Sequence, residues 1–83
     1  EVKWDVNGKY QTDIPLQFTV KEGKKSLSGK FSVYDNNNNE LEGIIDNLGQ
    51  ATFTGAGIYT IVFSNEEIKK SEYQIHIDEW QNI

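Results

Sequence analysis

Apolar and polar residues alternate with a period of two in short runs that recur about every ten residues, and glycine, asparagine or aspartate closes each run. A pleated strand sends successive side chains to opposite faces, so each run predicts a strand with one buried side. Val2, Trp4 and Val6 alternate with Lys3 and Asp5, and Asn7-Gly8 follows as a turn pair. Leu16, Phe18 and Val20 alternate with Gln17, Thr19 and Lys21, with Pro15 at the strand entrance and Glu22-Gly23-Lys24-Lys25 as its close. Phe31 and Val33 alternate with Lys30, Ser32 and Tyr34, and Asp35 with the asparagines after it ends that run in a loop.

The second half of the chain is less regular. Leu41 to Asp46 predicts a short strand of ambiguous facing, because Leu41 and Ile45 share a parity that Ile44 does not. Asn47-Leu48-Gly49 turns the chain, Ala51 and Phe53 mark a fifth strand, and Gly55-Ala56-Gly57 turns it again. Ile58 to Phe63 is apolar at nearly every position, the pattern of a central strand covered on both faces. Glu66 to Lys70 has room for one helical turn, and Tyr73, Ile75 and Ile77 alternate with Gln74, His76 and Asp78 in the last strand. No stretch carries helical periodicity over the ten or so residues a stable helix needs.

These runs predict an all-β chain folded as an immunoglobulin-like, two-sheet antiparallel β-sandwich of about seven strands. The expected core is Trp4, Phe18, Val20, Phe31, Val33, Phe53, Tyr59, Ile61, Phe63, Tyr73, Ile75 and Ile77. The 83 residues suffice for one core, so residues 1–83 are read as a single module. Without a starting methionine, that module is expected to be excised from a larger protein, with neighbouring domains of the parent as its first partners.

Charge and composition narrow the function. A net charge of −5 opposes the phosphate neutralisation that drives nucleic-acid binding, and disfavours an anionic membrane surface. No apolar run approaches the roughly 18 residues of a spanning helix, so membrane insertion is not expected. With no cysteine and one histidine, disulfides, thiolate metal sites and histidine-based triads lack parts. His76 itself has the outward parity of a solvent-facing strand residue. The chain is therefore read as not an enzyme, with no cofactor.

The segments Val20-Lys21-Glu22, Leu27-Ser28-Gly29-Lys30-Phe31-Ser32-Val33, Asp46-Asn47-Leu48-Gly49-Gln50-Ala51-Thr52-Phe53 and Ala56-Gly57-Ile58-Tyr59-Thr60-Ile61 resemble the signature of bacterial Ig-like surface modules. These include group-1 Ig-like repeats, collagen-adhesin B-type repeats and prealbumin-like domains. The resemblance covers about Leu16 to Phe63. It implies a structural or spacer module in a bacterial secreted or cell-surface protein, such as the stalk units of adhesins and secreted enzymes; the absence of cysteine fits either a cytosol or the disulfide-poor surface of a Gram-positive bacterium, and an extracellular, cell-wall setting of the latter kind is expected. Tyr59 would bury its ring and send its hydroxyl to a loop carbonyl, Gly49 would permit a tight turn, and Gly29 would relieve crowding between strands. B-type repeats often carry a Lys to Asn isopeptide bond, which is not expected here because Lys3 has outward parity and Asp78 and Asn82 lack the inward parity of Ile75 and Ile77.

Two candidate sites remain. Tyr34 and Trp80 fall out of phase with the core positions and Tyr10 sits in an expected loop, and exposed rings of this kind form the stacking platform of a carbohydrate- or protein-binding adhesion module whose partner is a glycan or a host or cell-surface protein. Trp4, in phase with Val2 and Val6, is assigned to the core instead. Asp35, Asn37 and Asn39 offer oxygen ligands at alternate positions, a weak Ca²⁺ pattern that lacks the glycine an EF-type loop has at its sixth place, where Glu40 stands. A polar connecting loop is the competing reading of the same residues.

Overall fold

The computed structural model describes residues 1–81. Its strands are β1 (Val2–Asn7), β2 (Leu16–Glu22), β3 (Lys25–Ser26), β4 (Lys30–Tyr34), β5 (Glu40–Leu41), β6 (Gln50–Ala51), β7 (Gly57–Ser64) and β8 (Ser71–Ile77). They form two antiparallel sheets. In one, β1 pairs with β2, whose other side takes β3 at one end and β6 at the other; in the second the order is β5-β4-β7-β8. This is the strand order of an immunoglobulin-like sandwich, with eight strands where the sequence predicts about seven, because the two-residue β3 is too short to leave a periodic signal.

The core lies between the sheets and consists of Leu16, Phe18, Val20, Phe31, Val33, Ala51, Phe53, Ile61, Phe63, Ile75 and Ile77. Trp4, Tyr59 and Tyr73 pack against it while only partly buried. Leu16 and Ala51, absent from the predicted core, face one another across the β2–β6 pairing and close one end of the sandwich. Trp4 seals the side of the sandwich where β1 and β8 run past each other. Its ring stacks on Tyr73 at 5.2 Å, meets Phe18 and Phe31 edge-on, and its indole N–H donates to the Ser71 hydroxyl at 2.9 Å. The half-buried indole is thereby both packed and satisfied.

Tyr59 stands near the start of β7 and donates its hydroxyl to the Gly55 carbonyl at 2.7 Å, fixing the corner at which the chain enters the second sheet. Its ring packs on Phe53. A Cβ on Gly29 would lie 2.4 Å from the Ser64 carbonyl oxygen, so only glycine lets this segment pass β7. Gly49 has φ +86° and would place a Cβ 2.1 Å from the Phe18 carbonyl oxygen. Those contacts explain the glycines at positions 29 and 49.

Three expectations need correction. The strand predicted over Leu41 to Asp46 ends at Leu41; Gly43 adopts φ +78°, and Ile45 makes only an isolated bridge to Ala51. Positive φ reverses the chain there, which is why the apolar parity switches between Ile44 and Ile45. The fifth strand stops at Ala51, and Phe53 is buried from a non-strand segment. The run Ile58 to Phe63 is central, between β4 and β8, but it is covered on one face only: Ile61 and Phe63 are buried, Val62 is half-buried, and Ile58 is exposed. Its outer face meets solvent because, among the described residues, the second layer lies on the inner side.

Glu66 to Lys70 forms a single turn. The Asn65 side chain accepts from the N–H groups of Glu67 and Ile68, and Lys69 leaves the turn at φ +61° before a helix can propagate.

Candidate functional site

The structure separates the three aromatic candidates. Tyr34 is the last residue of β4, and its side chain lies on the outer face of the second sheet, out of phase with buried Phe31 and Val33. It pairs with Thr60, which pairs with Gln74. Tyr10 and Trp80 belong instead to two segments joined at the far end of β8. The Asp78 N–H donates to the Tyr10 carbonyl at 2.9 Å, the Thr12 N–H donates to the Asp78 carbonyl at 2.8 Å, and the Trp80 N–H donates to the Thr12 hydroxyl at 2.8 Å. Asp78 lies four residues beyond Gln74, roughly 13 Å along the strand at the usual rise. Tyr34 is a further two strands to the side, so the three rings do not make one platform. Sequence parity identifies exposed rings but carries no information on which of them share a face.

Each ring therefore has its own surroundings. Tyr34, Asn38, Thr60, Val62, Lys70 and Glu72 line an open depression of about 320 Å³. Lys70 and Glu72 form an exposed ion pair at 3.0 Å on its rim. One ring, one half-buried valine and several hydrogen-bonding side chains give this surface the parts to hold a small polar ligand with an apolar face. Tyr10 keeps 37% of its surface exposed, as expected; partial burial first, and then the neighbouring Tyr73 hydroxyl, push its phenol up to about 12. Trp80 is held by its backbone while 46% of its surface stays exposed, as its parity predicts.

Thr12 was not singled out from the sequence. It is the one described polar residue that is fully buried, at 3% exposure, and its hydroxyl is the acceptor that holds Trp80. A lone threonine in a polar loop gives no periodic signal, so its role is visible only once residues 12 and 80 are seen together.

In the loop after β4, Asp35 occupies its carboxylate with its own turn. Oδ1 accepts from the N–H groups of Asn37 at 2.8 Å and Asn39 at 2.9 Å, and Oδ2 accepts from the Asn39 side-chain amide at 3.4 Å. The Asn39 N–H first, with Asn37 and the Asn39 amide behind it, lowers the Asp35 carboxyl below its ordinary value. The Asp35 N–H donates to the Asn39 carbonyl and Asn38 takes φ +64°, which closes a tight hairpin between β4 and β5. These asparagines therefore serve as turn residues tolerant of positive φ. Among the described residues no group of three or more His, Asp or Glu side chains gathers in metal-binding geometry.

His76 lies on the outer face of β8, 3.7 Å from the Asp78 carboxylate, with both side chains exposed. Lys3 and Asp78 are likewise on the surface, and Asn82 lies outside the described residues. Among the described residues no helix is long and apolar enough to cross a membrane. Comparison with known protein families, characterised proteins and solved structures finds no match to this chain.

Proposed function

We propose that this domain is a structural spacer: an Ig-like module of a bacterial secreted or cell-surface protein, whose task is to carry load and set distance. The observation that carries this reading is the course of the chain through the sandwich. β1 and β8 run parallel, since Trp4 sits beside Ser71 and Tyr73 while Gln11 bridges Asp78 in parallel register. Val2 and Asp78 therefore stand at opposite ends of a body measuring 42 × 26 × 19 Å. A pull along the long axis loads the first and last segments in shear. It strains together the bonds from Thr12 to Asp78, from Asp78 to Tyr10 and from Trp80 to Thr12. Bonds loaded side by side break as a group, which is the property a stalk unit needs. Localisation outside a Gram-positive cell, neighbouring modules as partners and the absence of catalysis belong to the same proposal.

Mechanical unfolding of a tandem repeat of this domain tests it. Thr12→Val removes the hydroxyl that accepts from Trp80, and a spacer held as described unfolds at lower force with this change. An unfolding force unaltered by Thr12→Val would refute the shear clamp.

A second reading, a glycan- or protein-binding adhesion module, draws on the depression beside Tyr34. There Tyr34→Ala abolishes binding to a panel of cell-wall and plant polysaccharides, whereas a pure spacer shows no saturable binding for the change to remove.

A further inference from the structure

The free edge of β8 has a property that the spacer reading does not use. Asp78 sends its N–H and C=O to residues 10 and 12, away from β7, so its donor is not available to the β7 ladder. N–H and C=O directions alternate along a strand. Ser71, Tyr73, Ile75 and Ile77 therefore face β7, and the backbone groups of Glu72, Gln74 and His76 face outward. Among the described residues, no strand pairs with β8 on that side before Asp78. The edge carries no proline and no positive-φ residue to break its extension, two of the devices that blunt a free edge.

The side chains on this edge are complementary to themselves. Reversing the strand about Gln74 sets Glu72 opposite His76 and His76 opposite Glu72, with Gln74 opposite its own copy. All three are exposed on the outer face of the sheet. We propose that the β8 edge docks a second copy of this chain, whose own β8 adds antiparallel about a two-fold axis at Gln74. Each outward-facing residue then meets an outward-facing residue, so the three pairs exchange up to about six backbone hydrogen bonds. Each Glu72 carboxylate accepts from the His76 imidazole of the other copy, and the two Gln74 amides bond one another across the axis. The two second sheets merge into one continuous sheet running from β5 of one copy to β5 of the other. A two-fold contact of this kind closes on itself and stops at a dimer. The added strand ends at Glu72, because segment 10–12 already occupies the edge at Asp78.

Sedimentation equilibrium of the domain across a concentration series tests this. Dimerisation is expected in the range of roughly 10 µM to 1 mM, as suits a small interface. Gln74→Pro removes an N–H that no β7 residue uses, so the monomer keeps its fold, as Trp4 emission and far-ultraviolet dichroism report, while dimerisation weakens at least about tenfold. Glu72→Lys alone weakens it about tenfold by removing the imidazole's acceptor, and Glu72→Lys combined with His76→Glu restores it to within about threefold. The charge pair of variants reads the same contact even if the proline variant does not fold. A protein that stays monomeric at about 1 mM overturns the proposal, and so does a folded Gln74→Pro variant that dimerises like the wild type.

Discussion

The most discriminating prediction compares two neighbours on β7. Ile61 and Val62 are adjacent, both β-branched and both apolar, and a strand covered on two faces would make truncation of either costly. In the structure Ile61 has 0% exposure and belongs to the core between the sheets, whereas Val62 lines the open depression beside Tyr34. Ile61→Ala removes buried methyl and methylene groups and leaves a cavity, at a cost of about 2 to 5 kcal/mol. Val62→Ala takes little area out of contact and should cost under about 1 kcal/mol. A domain of this size has a total stability of roughly 4 to 12 kcal/mol, so the first change consumes a large share of it and the second does not. Urea denaturation followed by tryptophan emission reads both, and with a slope of roughly 1 kcal/mol per M the Ile61→Ala midpoint falls by about 2 M or more. In thermal melts a loss of about 3 kcal/mol lowers Tm by roughly 12 to 24 °C. Equal losses at the two positions, or a loss under about 1 kcal/mol at Ile61, would refute the one-sided packing of β7.

Gly49→Ala should be among the most damaging single methyl additions in the chain, costing about 3 kcal/mol or more in the same urea experiment. Its φ of +86° and the 2.1 Å approach to the Phe18 carbonyl both oppose a Cβ; a neutral result would mean the turn relaxes freely. The tryptophans should separate optically: Trp80→Phe leaves blue-shifted emission that acrylamide quenches poorly, and Trp4→Phe leaves red-shifted, readily quenched emission, with identical spectra contradicting their different exposure. Tyr10 should ionise near pH 12 when followed by phenolate absorbance, against about 10 for an unperturbed phenol. Because its folded value is raised, the stability it contributes is fully present below pH about 10 and is lost as pH rises through about 12. Tyr73→Phe should bring that titration back toward the ordinary value, and an unchanged titration would leave burial as its only cause.

Much of the architecture is legible in residue order because a half-buried strand writes its burial into the sequence with a period of two. The alternations around Phe18, Phe31 and Ile75 therefore identify β2, β4 and β8 along with their inward faces, and the turn expected at Gly49 and the crowding expected at Gly29 are both present. The same rule placed Trp4 against the core and Trp80 in solvent, since parity is a local property. It failed where the local property is not periodic: at Ile44 and Ile45, where Gly43 reverses the chain, and at Ile58 to Phe63, where every position is apolar but only one face finds a second layer.

The candidate sites depended on tertiary structure far more. Tyr10, Tyr34 and Trp80 are distinguishable as unusual rings from the sequence, but the sheet order placed Tyr34 on one outer face and gathered the other two at the end of β8. Asp35 presents the same oxygens to a turn as to a metal, and only the positions of the Asn37 and Asn39 amides show which ones it serves. Thr12 had no signal at all, because its importance lies in a hydrogen bond to a residue 68 positions away. Local sequence thus determines which residues extend, turn and face inward, through steric and solvation preferences that act within a few residues. Which strands become neighbours, which edges stay open and which distant side chains meet are decided when the two sheets close over a shared core, because those contacts join residues that share no local pattern.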